Sequence, residues 1–298
     1  MTSPSADGPH FCDTLIVGAG PAGASCALWL KRLGLRPLLV DAEEAVGGLL
    51  RSTPYENAWI ATSPGATGPE LAAGVEESLR LAEVERFAET RITDATRNEL
   101  GFIAHAVGPH GRTLRIEAST LVLATGVQAE DGGLPATPHI LIGPGAHIEA
   151  HDFTGLSVAV LGGGDNGFEN FDIIRRSGAR HVALFARTVR ARPALVAQVP
   201  PESVSRGPYQ VDARAMSVNG QAFDRILVMY GWRPQSRLGL ALGAAVDERG
   251  YLRTAADCQT TVSGLYAIGE VTRRGHPCVV TAMADGIDAA KAIEARLG

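Results

Sequence analysis

Apolar residues recur along this chain in two rhythms. Thr14–Val17 is a short unbroken apolar run, as expected of a strand buried on both faces, and Ala22–Leu33 follows with helical spacing until Gly34 stops it. Pro37–Val40 is a second apolar run, ending on Asp41. The pattern returns later: Ser157–Leu161 predicts a strand, Phe168–Arg176 a helix with Gly178 in its cap region, and His181–Phe185 another strand. Between the two blocks, Pro69–Glu89 has amphipathic spacing that turns Leu71, Val75, Leu79 and Val84 inward. Phe102–Val107 and Thr113–Glu117 alternate like the arms of a hairpin. MADGIDAAKAIEARL, near the C-terminus, predicts an amphipathic final helix within Val280–Leu297.

Each strand–helix–strand block is joined at its first turn by a glycine triplet. In the first, Gly18-x-Gly20-x-x-Gly23 opens the helix and Asp41 closes the second strand. Gly18 permits the tight turn, Gly20 lets a pyrophosphate approach the backbone, and Gly23 lets helix and strand pack closely. The helix N-terminus offers free N–H groups to phosphates, and Asp41 can accept from ribose hydroxyls. The bland alternative is a glycine-rich turn with no ligand. The second block carries Gly162-x-Gly164-x-x-Gly167, but its second strand is followed by Arg187, with Arg190 and Arg192 close behind. An acid there would favour the free 2′-hydroxyl of NAD; arginines favour the 2′-phosphate of NADP. A solvated basic turn is the competing reading.

Length and composition narrow the class. The 298 residues suffice for two domains, and 45% hydrophobic with 20% charged residues is an ordinary globular balance. A net charge of −5 argues against nucleic-acid or anionic-membrane partners. No apolar run approaches the ~20 residues of a membrane span. The N-terminal stretch has no signal-peptide pattern, so a cytoplasmic address is expected. Of the four cysteines (Cys12, Cys26, Cys258, Cys278), no two are spaced C-x-x-C and none fits a zinc template, so packing roles in a reducing compartment are expected.

Taken in order, five motifs resemble the two-dinucleotide-binding flavoproteins, specifically the compact thioredoxin-reductase-like branch. They are GAGPAG at Gly18–Gly23, GG at Gly47–Gly48 with YEN at Tyr55–Asn57, LVLATG at Leu121–Gly126, ILVMYGWRP at Ile226–Pro234 and GLYAIGEV at Gly264–Val271. The resemblance covers nearly the whole chain. It implies an α/β fold of two Rossmann-like domains of the three-layer ββα type, with an NAD(P)H-binding domain (129–243) inserted into a split FAD domain (1–128 and 244–298). It implies FAD contacts at Gly18, Gly20, Pro21, Ala22, Gly23, Asp41, Gly48, Leu49, Asn57, Thr125, Gly126, Gly269, Glu270, Cys278 and Val279. It implies NADPH contacts at Gly162, Gly164, Asp165, Asn166, Arg187 and Arg192, and a homodimer. In such folds the final helix points its positive N-terminus at the flavin. There are departures. Glu270 stands where an aspartate is usual, Thr188 replaces a second adjacent arginine, and Gly167 stands where alanine is commoner.

The stretch GPGAHIEAHDF, Gly143–Phe153, lies just before the second glycine loop, where thioredoxin reductases keep their redox C-x-x-C. By that resemblance the cysteines would fall at Gly145 and Ile148, and the following acid at Glu149; neither cysteine is present. A metal reading of His147, Glu149 and His151 is weak, because the residues alternate and follow a flexible Gly-Pro-Gly. A polar crossover is the simplest reading. His147 remains a candidate proton donor, because imidazole titrates near neutrality. Cys278, expected at the start of the last helix near the flavin, is a second candidate, as a redox or flavin-tuning thiol.

The leading functional expectation is an FAD-dependent oxidoreductase that passes hydride from NADPH to flavin and electrons onward to an unknown acceptor other than thioredoxin. Family members without the cysteine pair, such as ferredoxin–NADP reductases of this fold, set the precedent. The alternatives are a flavin-dependent oxidase that does not use NADPH, and a non-catalytic flavin-bound sensor or binding component of a larger complex.

Overall fold

The structure, a computed structural model, describes residues 8–57 and 59–298. Strand β1 (His10–Val17) leads through the first glycine turn into α1 (Pro21–Arg32) and back along β2 (Pro37–Val40). After a loop come α2 (Gly68–Leu81), β3 (Glu85–Phe87) and a meander of β4 (Arg91–Arg97), β5 (Phe102–Val107) and β6 (Thr113–Leu123). The strands order as β3-β2-β1-β6-β5-β4. Those from β3 to β6 are parallel, and β6-β5-β4 antiparallel.

Strand alternation explains the two apolar layers of this sheet. Ile16, Leu39 and Val122 face one way, into a cluster with Ala24, Ala27 and Leu30 of α1. Leu15, Leu38, Leu121 and Leu123 face the other way and meet Ala95, Phe102 and Ala104 of the meander. Helices thus cover one face and the meander the other, as the three-layer expectation requires. The helix expected over Pro69–Glu89 is shorter than its spacing suggests. Thr67 and Glu70 form a reciprocal capping box at its start, and Glu83 at φ +53° ends it, so that Glu85–Phe87 joins the sheet as an edge strand.

The chain then continues through β7 (Val127–Ala129), β8 (Ile140–Ile142), α3 (Ala146–Glu149), β9 (Ser157–Leu161), α4 (Asp165–Arg176) and β10 (His181–Ala186). There follow α5 (Pro193–Val196), β11 (Val204–Arg206), the short strands β12 (Val211–Asp212), β13 (Ser217–Val218) and β14 (Gln221–Ala222), and β15 (Arg225–Val228). A parallel sheet in the order β11-β10-β9-β15-β8 results. Phe168, Phe171 and Ile174 of α4 cover one face together with Val158 and Val160. Val218 and Phe223, from the β12–β14 ribbon and its flank, lie on the other with Ala159 and Leu161. The last stretch comprises β16 (Trp232–Pro234), which pairs with β7, then α6 (Arg237–Ala241), β17 (Leu265–Ala267) beside β6, and α7 (Val279–Leu297).

Two compact units result: the chain up to Val127 together with Pro234 onward, and Gln128–Arg233. The return to the first unit therefore comes at Pro234 rather than near residue 244. The cause is α6: Leu238 and Leu242 join the core beneath the meander, and a side chain at Gly239 would lie 2.6 Å from Leu252. Among the described residues no helix is long and apolar enough to cross a membrane.

Candidate functional site

Both glycine loops sit at the carboxyl end of a central strand, where open parallel sheets bind ligands. In the first, Gly18 has φ +109°, and a Cβ there would lie 2.3 Å from the Ala124 carbonyl oxygen. A Cβ at Gly23 would lie 1.9 Å from the Gly18 carbonyl oxygen. These two glycines are demanded by backbone packing. Gly20 is not: a Cβ there would meet nothing within 4 Å. It is also the N-cap of α1, with no side-chain cap over the first turn. The middle glycine thus keeps open a bare, positively polarised cradle.

The second loop sorts in the same way. A Cβ at Gly162 would lie 2.1 Å from the Met229 carbonyl oxygen and one at Gly167 2.2 Å from that of Gly162, while Gly164 again faces open space at an uncapped helix start. Asn166, in the first turn, spends its carbonyl on the Asn170 side chain at 2.8 Å.

Around the first loop the fold gathers most of the residues expected there. Asp41, half-buried at the end of β2, accepts from the Ala19 N–H with one oxygen and from the Glu43 N–H at 2.8 Å with the other. It therefore shapes the loop, and each oxygen keeps a lone pair for a ligand. Gly47 N–H donates to the Ala19 carbonyl at 2.9 Å, which sets Gly48 beside Gly20 and leaves Leu49 exposed. A Cβ at Gly269 would lie 2.8 Å from that of Ala22, so the late motif abuts the helix that begins at Pro21. Glu270 follows, half-buried. Burial raises its carboxyl above the usual range, and among the described residues it makes no hydrogen bond. Asn57 accepts from the Trp59 N–H at 3.1 Å and donates its own N–H to the Ala66 carbonyl at 2.8 Å, both within its loop. Thr125 and Gly126 are tied to Gln235: Thr125 Oγ1 donates to the Gln235 carbonyl at 2.7 Å, and Gln235 returns bonds from its side chain and main chain. Nothing in the local pattern points to Gln235, which is 110 residues away from Thr125.

A family model described as pyridine nucleotide-disulphide oxidoreductase matches residues 12–206 and 195–286, and so spans both loops. The chain belongs to that family. Its members are NAD(P)H-dependent flavoprotein oxidoreductases, so this chain is an enzyme of that class, and FAD and NADPH are the cofactors of its thioredoxin-reductase-like group. A thioredoxin reductase of Coxiella burnetii is 25% identical over 95% of each chain. An alkyl hydroperoxide reductase component of Staphylococcus epidermidis is 26% identical over 93% of this chain and 57% of its own. The solved bacillithiol disulfide reductase of Bacillus cereus superposes with a TM-score of 0.81 at 18% identity, covering 96% of this chain and all of that one.

The arginines after the second loop do not share one role. Arg192 is committed elsewhere. Its main-chain N–H and its Nε both donate to the Asp165 carboxylate at 2.8 Å, and its Nη2 reaches Glu169 at 3.1 Å. Arg190 and Ala191 N–H groups donate to the Gly163 carbonyl at 2.7 and 3.0 Å. The segment after β10 is thus latched onto the glycine loop, with Arg192 neutralising an acid in the first turn of α4. Arg187 is exposed and has no carboxylate partner among the described residues; its guanidinium lies 5.9 Å from the centre of the Tyr209 ring. Arg206, level with Ala186 on the neighbouring strand, is exposed as well.

The two catalytic candidates lie in different units. Cys278 is the N-cap of α7 and belongs to the first unit, with Val279 as the first helical residue. Burial works to raise its thiol, but hydrogen bonds from the Thr281 side chain, the Thr281 N–H and the Val280 N–H outweigh it and leave the pKa lowered. Cys12 and Cys258 are buried thiols pushed up to about 12, and Cys26 is raised further still by burial. His147 belongs to the second unit. It lies on the short α3, exposed, with its imidazole held below the usual range by desolvation and then by nearby His151. Because Ala146–Glu149 is helical, the extended alternation of His147, Glu149 and His151 is not formed. The one group of three potential metal ligands among the described residues is Cys258, Asp285 and Asp288 instead. Arg274 already pairs with both of its carboxylates.

Proposed function

We propose that this enzyme is an NADPH-dependent flavin reductase that delivers electrons to an acceptor other than thioredoxin. The observation that carries the acceptor reading is the segment before the second glycine loop: Gly145 is the N-cap of α3 and Ile148 is buried in the core, and neither position holds sulfur. Without a dithiol there, disulfide exchange with a protein partner has no relay. Cys278 is half-buried and unpaired, and the other three cysteines are buried.

FAD fits the first unit and NADPH the second, on the same physical ground. Gly20 and Gly164 each leave free the space that a Cβ would fill, at the positively polarised start of a helix. Bound FAD would supply a two-electron acceptor and bound NADPH the hydride. In this reading Asp41 and Glu270 orient hydroxyl groups, Glu270 being a carboxyl with no hydrogen bond among the described residues. Arg187, beside Tyr209, binds the 2′-phosphate. Val279 and the first turn of α7 present N–H groups to the ring system. The overall balance would be one hydride equivalent from NADPH and one proton from solvent for each quinone-like acceptor reduced by two electrons to its hydroquinone.

A second reading, an oxidase that does not use NADPH, draws support from the engagement of Arg192 with Asp165 and Glu169 and from Thr188 in place of an arginine. The acceptor is tested by following NADPH consumption with thioredoxin and a disulfide reagent, and separately with a soluble quinone. Turnover with the quinone and none with thioredoxin is expected. Efficient thioredoxin reduction would sink the proposal.

A further inference from the structure

We propose that Asp285, on α7, is a positioning residue of the flavin site, setting the direction of the Ile268–Gly269 peptide just ahead of Glu270, with Arg274 supplying the balancing charge. This rests on the reading of the first unit as the FAD site.

The geometry starts at Gly269. Its φ is +68°, and it has Ala22 on one side. On the other, its N–H donates to Asp285 Oδ2 at 3.0 Å. The second oxygen of Asp285 accepts from Arg274 Nε at 3.0 Å. Arg274 also donates from Nη1 to the Ala255 carbonyl at 2.6 Å and from Nη2 to Asp288 at 3.2 Å. The Arg274 and Asp285 side chains are 21% and 15% exposed, so both charges are largely removed from water and each depends on the other.

Asp285 is itself held firmly. Its carbonyl accepts from the Cys258 thiol at 3.5 Å. The next residue, Gly286, meets α1 so closely that a Cβ would lie 2.5 Å from the Ala22 carbonyl oxygen and 2.8 Å from Cys26 N. Ser25 adds a bond to the Met283 carbonyl at 2.9 Å. The carboxylate therefore reaches Gly269 from a point fixed to the helix that begins at the glycine loop. Glu270, by contrast, has no hydrogen bond of its own among the described residues, so its backbone alone aims it. Removing the Asp285 carboxylate would leave the Gly269 N–H without an acceptor and release the residue that carries the flavin-facing carboxyl.

The test is FAD affinity on reconstitution of deflavinated protein, together with the visible circular dichroism of the bound flavin, which reports its surroundings. Asp285→Ala is expected to weaken FAD by about tenfold or more, the loss of one charge-assisted hydrogen bond, and to alter that spectrum. Asp285→Asn keeps a carbonyl acceptor for Gly269 and should recover most of the affinity. Arg274→Gln should cost less FAD affinity in the Asp285→Asn background than in the wild type, because the Asp285 charge it balances is already gone and only its contacts with Asp288 and Ala255 remain to be lost; this comparison decides the matter where the alanine variant does not fold. Wild-type affinity and spectrum in Asp285→Ala, an asparagine variant as weak as alanine, or an additive loss on adding Arg274→Gln would each overturn the proposal. Gly20→Val separates the two readings. If it also retains FAD normally, the site itself is misassigned; if it abolishes binding while Asp285→Ala does not, only the positioning role fails.

Discussion

At Gly20 a side chain would enter open space, while at Gly23 it would lie 1.9 Å from a carbonyl oxygen. The two positions therefore separate function from folding. Gly20→Val should purify without flavin yet melt like the flavin-free wild type. Gly23→Ala should lower the melting temperature of the flavin-free protein, since overpacking of this kind costs about 1–3 kcal/mol or more. Thermal melts of both, with flavin content by absorbance, check this. The cysteines differ just as sharply. Cys278 has a lowered thiol pKa and is only half-buried, whereas Cys12, Cys26 and Cys258 are buried and raised. Iodoacetamide at neutral pH should label the folded, flavin-free protein at Cys278 alone. Peptide mapping that finds equal labelling elsewhere would contradict this. The glycines are legible in the sequence because their constraint is local, a fixed spacing around one turn. Asp285, Arg274 and Gln235 are not, because each acts on residues 11 to 110 positions away and sits in no periodic pattern.

Elements follow the hydrophobic pattern where packing alone decides. Ser157–Leu161 forms its strand over the span the pattern predicts, because all five of its residues are buried. The pattern fails where backbone conformation intervenes. The spacing through Glu89 reads as one helix, yet Glu83 adopts a left-handed conformation and the chain turns into β3. Charge patterning misleads in a related way. Arg187 and Arg192 look equivalent in sequence, but the fold binds Arg192 to Asp165 and Glu169 as a latch across the glycine loop. The two arginines should therefore respond differently. Arg187→Ala should weaken 2′,5′-ADP selectively, by roughly tenfold or more for one charge-assisted contact, and leave 5′-ADP nearly unchanged. Arg192→Ala should weaken both by a similar factor. Calorimetric titration of each variant with the two nucleotides checks the ratio, and a selective loss in Arg192→Ala would assign it to the 2′-phosphate after all.

At the scale of the whole molecule, two units repeat one plan, a set of parallel strands with a glycine loop at the end of a central one, to which the first unit adds the antiparallel β5 and β4. That repetition is visible in the sequence as two strand–turn–helix–strand blocks. The point of return to the first unit is less legible, because α6 is short and its allegiance is decided by contacts with distant Leu252 and Leu123. The segment preceding the second loop forms a short helix with Ile148 in the core and holds no sulfur, and under the proposed function this leaves a nucleotide-fed flavoprotein without a dithiol outlet. That account stands or falls on whether NADPH reduces the flavin. The deciding measurement is anaerobic titration of the purified holoprotein with NADPH and then NADH, following the visible flavin band. Stoichiometric bleaching by NADPH, faster than by NADH, is predicted. A flavin that dithionite bleaches but neither nucleotide does would contradict the account.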